Sequence, residues 1–399
     1  GTQLSAVSNA QPPWSSQSSV VVPSTLTSFP LVFPREAASR TVRTMDYHIR
    51  NPHMLHYNFT VERQLPLEMA LSLAYAGARG LNLLSNKQGN PFIHQVRDGR
   101  FFWVGNEPRA TPSWGPLQFH TGNINSWYNS LQFVVRRRLS QGLQFQSSYT
   151  WSKLTDERPG SVVQEGGGSS GRANSLLPNK LDRGQADYSA GHVWQFNAIY
   201  RLPEMPVQGV LSKVGNGWWV SGILSAQTGL PFTTDLTNTN RNGSRNTAGN
   251  WPDLAPGVQG KDLTHGTSGG CGSSSLPGIP IPAGTRVGSV ERWFDPCAFT
   301  IPAAGFLGTA GRNILFAPGV ANLDFSLVKD TALGFLGESG KLEFRTEVFN
   351  ILNRANFARP DARVYAARSN VEDPLPTVGR ITETDTKSRE IQFALKLIW

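Results

Sequence analysis

SREIQFALKLIW, residues 388–399, is the stretch on which the reading of the whole sequence turns. Ile391, Phe393, Leu395, Leu397 and Trp399 share one parity, while Glu390, Gln392, Ala394 and Lys396 share the other. Side chains of an extended chain point alternately to opposite faces, so this segment is a strand with one apolar and one mainly polar face. Chain ends are ordinarily frayed and polar. Here the apolar parity continues to the final residue and closes on an indole. A strand of that kind fits an apolar face that meets something other than water.

Working back along the chain, the same periodicity recurs near residues 53–64, 67–79, 126–138, 142–154, 191–202, 217–229, 320–329 and 341–352. Leu143, Phe145, Tyr149 and Trp151 oppose Gln144, Gln146, Ser148 and Thr150, and Leu323, Phe325 and Leu327 oppose Asn322, Asp324 and Ser326. Leu342, Phe344 and Val348 oppose Glu343, Arg345 and Glu347. Three charges on one face of a single strand suit a hydrated lumen better than a packed core. The segments have the length of tilted membrane-crossing strands, ~9–11 residues.

The connections alternate in length. Leu65-Pro66, Leu139-Ser140-Gln141, 203–216 and 330–340 are short, and 80–125, 155–190, 230–319 and 353–387 are long. Loops above ~15 residues are uncommon in soluble domains, and here every long one falls at the same end of the strands. Short periplasmic turns opposite long extracellular loops characterise a transmembrane β-barrel, and the alternation puts the C-terminus on the short-turn side. The expected fold is therefore all-β, an antiparallel transmembrane β-barrel with about nine strands visible. Nine is odd, whereas single-chain bacterial barrels have even strand numbers. A sheet open at one edge in lipid leaves backbone groups unsatisfied. The expectation is thus a C-terminal portion of a barrel over 53–399, preceded in 1–52 by an extracellular loop or an incomplete upstream barrel segment; unseen strands within 1–52 or 230–319 are the other possibility.

Composition agrees. In 399 residues there are 40 Gly, 27 Pro, 21 Phe and 11 Trp, more turn and aromatic residues than a helical protein needs. Mean hydropathy is −0.29, and no run approaches the ~18 consecutive apolar residues of a membrane helix. The net charge of +9 comes from scattered residues. Its one tight run, Arg136-Arg137-Arg138, sits at a strand end, and without a basic stripe or a known module no nucleic-acid partner is expected. Cations at a membrane border meet lipid phosphate instead. Cys271 and Cys297 lie in one Gly/Ser/Pro-rich region, which fits a single loop disulfide in an oxidising compartment, with two free thiols as the alternative. The sequence opens at Gly1 in a polar stretch with no signal peptide, so the expectation is that upstream sequence is missing.

Several segments resemble the C-terminal barrel region of TonB-dependent outer-membrane receptors, specifically the Oar-like group. They are LSLAYAGARGLNLL at 71–84, YNSLQFVVRRRLSQGLQFQSSYTWSK at 128–153, WQFNAIYRLP at 194–203, GWWVSGILSAQTGLPF at 217–232 and RWFDPCAF at 292–299. GTAGRNILFAPGVANLDFSLVKD at 308–330, KLEFRTEVFNILNRANF at 341–357 and SREIQFALKLIW complete the set, in order and from about residue 50 to the end. The resemblance implies a Gram-negative outer-membrane location and a 22-stranded barrel with an N-terminal plug. It also implies energy supplied through TonB, import of a large or scarce substrate, and recognition of the last strand by the barrel-assembly machinery. An upstream carboxypeptidase-regulatory-like β domain is also implied; it, the plug and a TonB box are not seen in this sequence, so contact with plug and TonB belongs to the missing N-terminal part.

Other candidate sites are weaker. His48, His53 and His56 form the one histidine cluster, but it straddles a Pro and has no Cys nearby, so a zinc site is not expected. Asp235, Asn238, Asn240 and Asn242 precede Gly243 without the spacing or closing Glu of a calcium loop. GGGSSG at 166–171 lacks the Gly-Lys-Ser/Thr of a phosphate loop. There is no G-x-S-x-G, no H-E-x-x-H and no defensible Cys–His pair, so neither catalysis nor a cofactor is expected. The functional residues expected are Cys271 and Cys297 as a disulfide, Ile391, Phe393, Leu395, Leu397 and Trp399 against outer-membrane lipid, and Glu343, Arg345 and Glu347 facing the lumen. The long loops would take an extracellular ligand. The competing reading is a secreted β-sandwich or adhesin that binds glycans or proteins.

Overall fold

The computed structural model describes residues 42–112, 114–157, 176–206, 209–238, 240–244, 250–258, 260, 262–337 and 340–399, and two short paired strands, Leu4–Ser5 and Ser19–Val20. The GGGSSG tract lies outside the described residues. Nine long strands carry the molecule: β1 His53–Leu65, β2 Met69–Gln88, β3 Leu117–Ser140, β4 Leu143–Asp156, β5 His192–Arg201, β6 Trp218–Gln227, β7 Val320–Ala332, β8 Lys341–Phe349 and β9 Glu390–Ile398. Each pairs antiparallel with its sequence neighbours, giving an up-and-down meander. Val42–Met45, parallel to the start of β3, and Gly184–Gln185, beside β4, complete an eleven-stranded sheet. All nine strands expected from periodicity are present.

The turns differ in detail from the expectation. Ser140 pairs with Leu143, so the β3–β4 turn is Gln141-Gly142, both with positive φ (52° and 80°). That is the left-handed pair of a two-residue hairpin whose twist matches the strands. Only glycine fits the second position, because a Cβ on Gly142 would lie 2.6 Å from the Arg201 carbonyl oxygen. The β1–β2 turn is Pro66-Leu67-Glu68, with Leu67 and Glu68 also left-handed. The β5–β6 connection holds one short helix, α1, Val210–Gly215. Trp218 Nε1 donates to the Val214 carbonyl at 2.8 Å, tying α1 to the start of β6.

β2 and β3 outrun their expected limits at 79 and 126, and remain paired as far as Gln88 and Gln118. The register shifts between Gly80 and Leu83 and again between Leu83 and Leu84, with Asn82 at a φ of 56°. A bulge of this kind moves later residues to the other face. Alternation therefore breaks just where the strand continues, and the periodicity ends early.

The register carries two faces across all nine strands. On one lie Leu55, Tyr57, Phe59 and Val61 of β1, Leu73 and Tyr75 of β2, and Leu131 and Phe133 of β3. Phe145, Tyr149, Trp194, Phe196, Leu224, Leu323 and Phe325 continue it. Val348, Phe344, Ile391, Phe393 and Leu395 end it. The opposite face holds His56, Asn58, Thr60, Glu62, Ser72, Gln132, Gln144, Gln146, Asn197, Ser326, Glu347 and Gln392. The apolar face is bare: Phe59 is 69% exposed, Phe393 67%, Leu395 68% and Trp399 79%. Monomers in water rarely expose a contiguous apolar surface of that extent. The Tyr57 and Tyr75 hydroxyls on it both donate to Asn129 Oδ1, at 2.9 and 2.7 Å. Tyr57 lies over Gly77, where a Cβ would meet its ring at 2.2 Å, so the missing side chain makes room for the aromatic.

Candidate functional site

The two ends of the sheet are unlike. At one, the connections are 66–68, 141–142, 202–217 and 333–340; at the other they are 89–116, 157–191, 228–319 and 350–389. Periodicity reads the second set only as long polar loops. In the structure the buried apolar core lies among them. Phe232, Trp251, Phe294, Phe299 and Leu315 of the β6–β7 connection pack with Val364, Tyr365, Ala367 and Val378 of the β8–β9 connection. The Tyr365 hydroxyl donates to the Phe299 carbonyl at 2.8 Å, and burial, with Asp295 and Asp373 nearby, pushes that phenol up to about 12. Asp235–Leu236 runs parallel to Arg363–Tyr365, so the two connections share backbone pairing as well as a core.

The other connections join the same body. Trp103, Leu177 and Leu307, one from each of three connections, form a second cluster. Trp103 N–H donates to the Gly305 carbonyl at 2.9 Å, and Arg100 pairs with Asp253 at 2.7 Å while donating to the Leu307 carbonyl. Arg312 is paired with Asp156 at the end of β4; their side chains are 0% and 9% exposed. Asn313 donates to the Gln185 carbonyl at 2.7 Å and to Asp187 at 2.5 Å. The described parts of the four long connections thus make a braced cap.

Its electrostatics follow from burial. Arg312 is lowered to about 10 because its guanidinium lies away from water. The Asp235 carboxyl is raised to about 6 by burial, partly offset by the positive charge of Arg359. Arg359 is itself lowered by burial and held up by Asp235, Asp187 and Asp361. A cavity of about 230 Å³ opens beside Arg359 where the cap meets the strand ends, with Asp187, Thr228, Phe357 and Asp385 in its wall. It presents one cation and two carboxylates, a surface for hydrogen-bonding a polar ligand.

On the polar face, the residues expected to line a lumen form a ladder. Arg345 pairs with Glu343 at 3.0 Å and Glu347 at 3.4 Å on its own strand, and Lys341 reaches Asp330 of β7 at 3.5 Å. Glu343 and Glu347 stand beside Lys396 and Gln392 of β9. Ile391, Phe393, Leu395 and Leu397 share the opposite face of β9, and Phe393 stacks on Phe344 at 6.4 Å.

Cys271 and Cys297 are joined by a disulfide inside the cap, with Cα atoms 5.5 Å apart. Asp295 Oδ1 accepts from Cys297 N–H at 3.0 Å and from the Ser268 hydroxyl at 2.6 Å beside it. The weaker candidates do not converge. His53 and His56 have opposite parity on β1, and His48 is in the preceding turn. Asn238 caps the Ala367 carbonyl and Asn242 accepts from Ser244, so these amides brace the cap. Among the described residues no group of three His, Cys, Asp or Glu is placed to hold a metal ion. Arg312, Asp156 and Arg359 were not legible as site residues, since a charge in a long loop reads as solvated and nothing local marks a partner more than a hundred positions away.

Residues 2–392 match a family model described as outer membrane beta barrel domain. Two solved structures are similar at low identity. The outer membrane transporter YddB from Escherichia coli is 7% identical, with 90% of this chain and 34% of that one covered and a TM-score of 0.41. FpvA of P. aeruginosa bound to heterologous pyoverdines is 9% identical, with 87% and 27% covered and a TM-score of 0.37. The chain therefore spans about a third or less of the length of these two proteins. Comparison with curated proteins finds no match.

Proposed function

The chain belongs to the outer membrane beta barrel domain family and is a protein of the outer membrane, and from that premise we propose that it is the wall and cap of a TonB-dependent receptor of the Oar-like group. The apolar face meets lipid. The polar face lines a lumen and holds a plug, and the cap captures a large or scarce substrate at the cell surface. The observation that carries this reading is the pairing of one bare apolar face with one mainly polar face across nine consecutive strands. Lipid satisfies the first and a wet lumen the second. Plug, TonB and barrel-assembly machinery as partners are supported by the resemblance of the strand segments to that receptor group. The Glu343–Arg345–Glu347 ladder supplies donors and acceptors that a plug surface can engage. A sandwich or adhesin needs a second sheet on the apolar face, and among the described residues none covers it.

The test is photo-crosslinking in cells. A benzophenone amino acid at Gln392 should capture a plug segment as a protein adduct, and one at Leu395, on the opposite face of the same strand, should give none. Absence of adduct at Gln392 in membrane-inserted protein would remove the plug; equal protein adducts at both positions would remove the lipid face. Uptake into cells lacking TonB should stop while surface exposure of the cap persists.

A further inference from the structure

At the cap end of the sheet, Tyr149 of β4, Trp194 of β5, Ala226 of β6 and Ala321 of β7 form one row across the apolar face. The β6–β7 connection leans over this row and places Trp293 and Phe316 above it, with the Trp293 Nε1 donating to the Phe316 carbonyl at 2.7 Å. The result is an open groove of about 470 Å³ on the outer flank of the molecule. Its floor continues along the strands into Phe196, Leu224 and Leu323, the neighbours of that row on the same face. Its upper border is polar, with His192, His265, Thr264 and Arg354. His192 Nδ1 is hydrogen-bonded to the Tyr149 hydroxyl at 2.6 Å, and its ring stacks on Trp151 at 6.4 Å. No carboxylate lines the groove. Beside it, Asp262 is engaged with His265 Nδ1 at 2.7 Å, while Arg354 is exposed and its guanidinium makes no ion pair or hydrogen bond among the described residues.

We propose that this groove seats the phosphate-bearing headgroup of an outer-leaflet lipid, with Arg354 on the phosphate and the aromatic row against the sugar or glycerol and the upper acyl chain. Three features converge on that occupant. Tyr and Trp rings prefer the border between hydrocarbon and headgroups, the level at which this row sits if the apolar face meets lipid. A cation without a counter-charge beside aromatic surface complements an anionic head. The floor is continuous with the lipid-facing band, so an acyl chain can leave the groove without crossing polar surface. A soluble anion would have no use for that exit. The inference rests on the reading that the apolar face meets lipid.

The experiment uses the purified protein in nanodiscs of phosphatidylcholine doped with purified lipopolysaccharide, its dephosphorylated form, or neither, and bound lipid is read by native mass spectrometry. Wild-type protein should retain the phosphorylated glycolipid at least tenfold better than the dephosphorylated form, with Arg354→Gln losing that preference and Arg354→Lys keeping most of it. Millimolar inorganic phosphate should not displace it. Equal retention of both forms, or no change in Arg354→Gln, would overturn the proposal, and displacement by inorganic phosphate would assign the site to a free anion instead. A bimane label at Leu395, quenched by brominated acyl chains, separates the two levels of failure. Quenching without headgroup preference sinks only the groove, and absence of quenching sinks the lipid face as well.

Discussion

Arg312 shows how a single side chain holds the cap to the wall. Its guanidinium is wholly buried against Asp156, so removing it leaves a carboxylate without counter-charge in a site closed to water. Breaking a buried pair from one side typically costs ~3–5 kcal/mol, whereas replacing both partners with apolar groups can be close to neutral. Arg312→Met should therefore lower the denaturant midpoint of the cap, followed by limited proteolysis of 228–319, and adding Asp156→Leu should recover most of the loss. Asp235 gives the cap a pH dependence. Its folded value is raised to about 6 from 3.8, so the folded cap binds the proton more tightly than the unfolded chain does. That contribution is complete below about 3.8 and is lost as pH rises through about 6. Asp235→Asn should flatten this part of the cap's stability profile between those limits. We further expect mass spectrometry of the non-reduced protein to find no alkylatable thiol. The Cys271–Cys297 link spans 26 positions, and a closure of that size contributes ~3 kcal/mol in the chain-entropy account.

Among the elements, the alternation of connection lengths assigns sides. Cysteines introduced at Asn240 and Ser369, both exposed in the cap, should react with an impermeant thiol reagent on intact cells. One at Gln141, in the β3–β4 turn, should react only once the outer membrane is opened. Labelling of all three together would invert the topology. Within β9, Leu395→Lys should cost ~2–4 kcal/mol of unfolding free energy in lipid vesicles, and Gln392→Lys should be tolerated. Equal costs would mean that the two faces of β9 do not differ in environment. These elements were legible because each strand writes its two environments into consecutive residues. SREIQFALKLIW states both faces of β9 within twelve positions. The bulge after Gly80 hid the far halves of β2 and β3, since a shifted parity looks like a lost one. The turn at Gln141-Gly142 was misplaced because its positive φ values, and not its polarity, define it.

At the level of the whole molecule, the wall was legible and the cap was not. A transmembrane strand follows a local rule, but the cap core joins Phe232 to Val378 and Trp103 to Leu307, and no period links such residues. Long polar connections rich in Gly and Pro also look the same whether they fold on one another or wave in solvent. What they form here is one body drawn from four separated stretches, braced by Arg100–Asp253, Arg312–Asp156 and the parallel pairing of Asp235–Leu236 with Arg363–Tyr365. That shared interior sets the grain at which the barrel can be re-engineered. Transplanting a single loop from a cousin would tear half of a common interior away from its other half. A chimaera that keeps its shape must move all four stretches together, as a lid is moved rather than a finger.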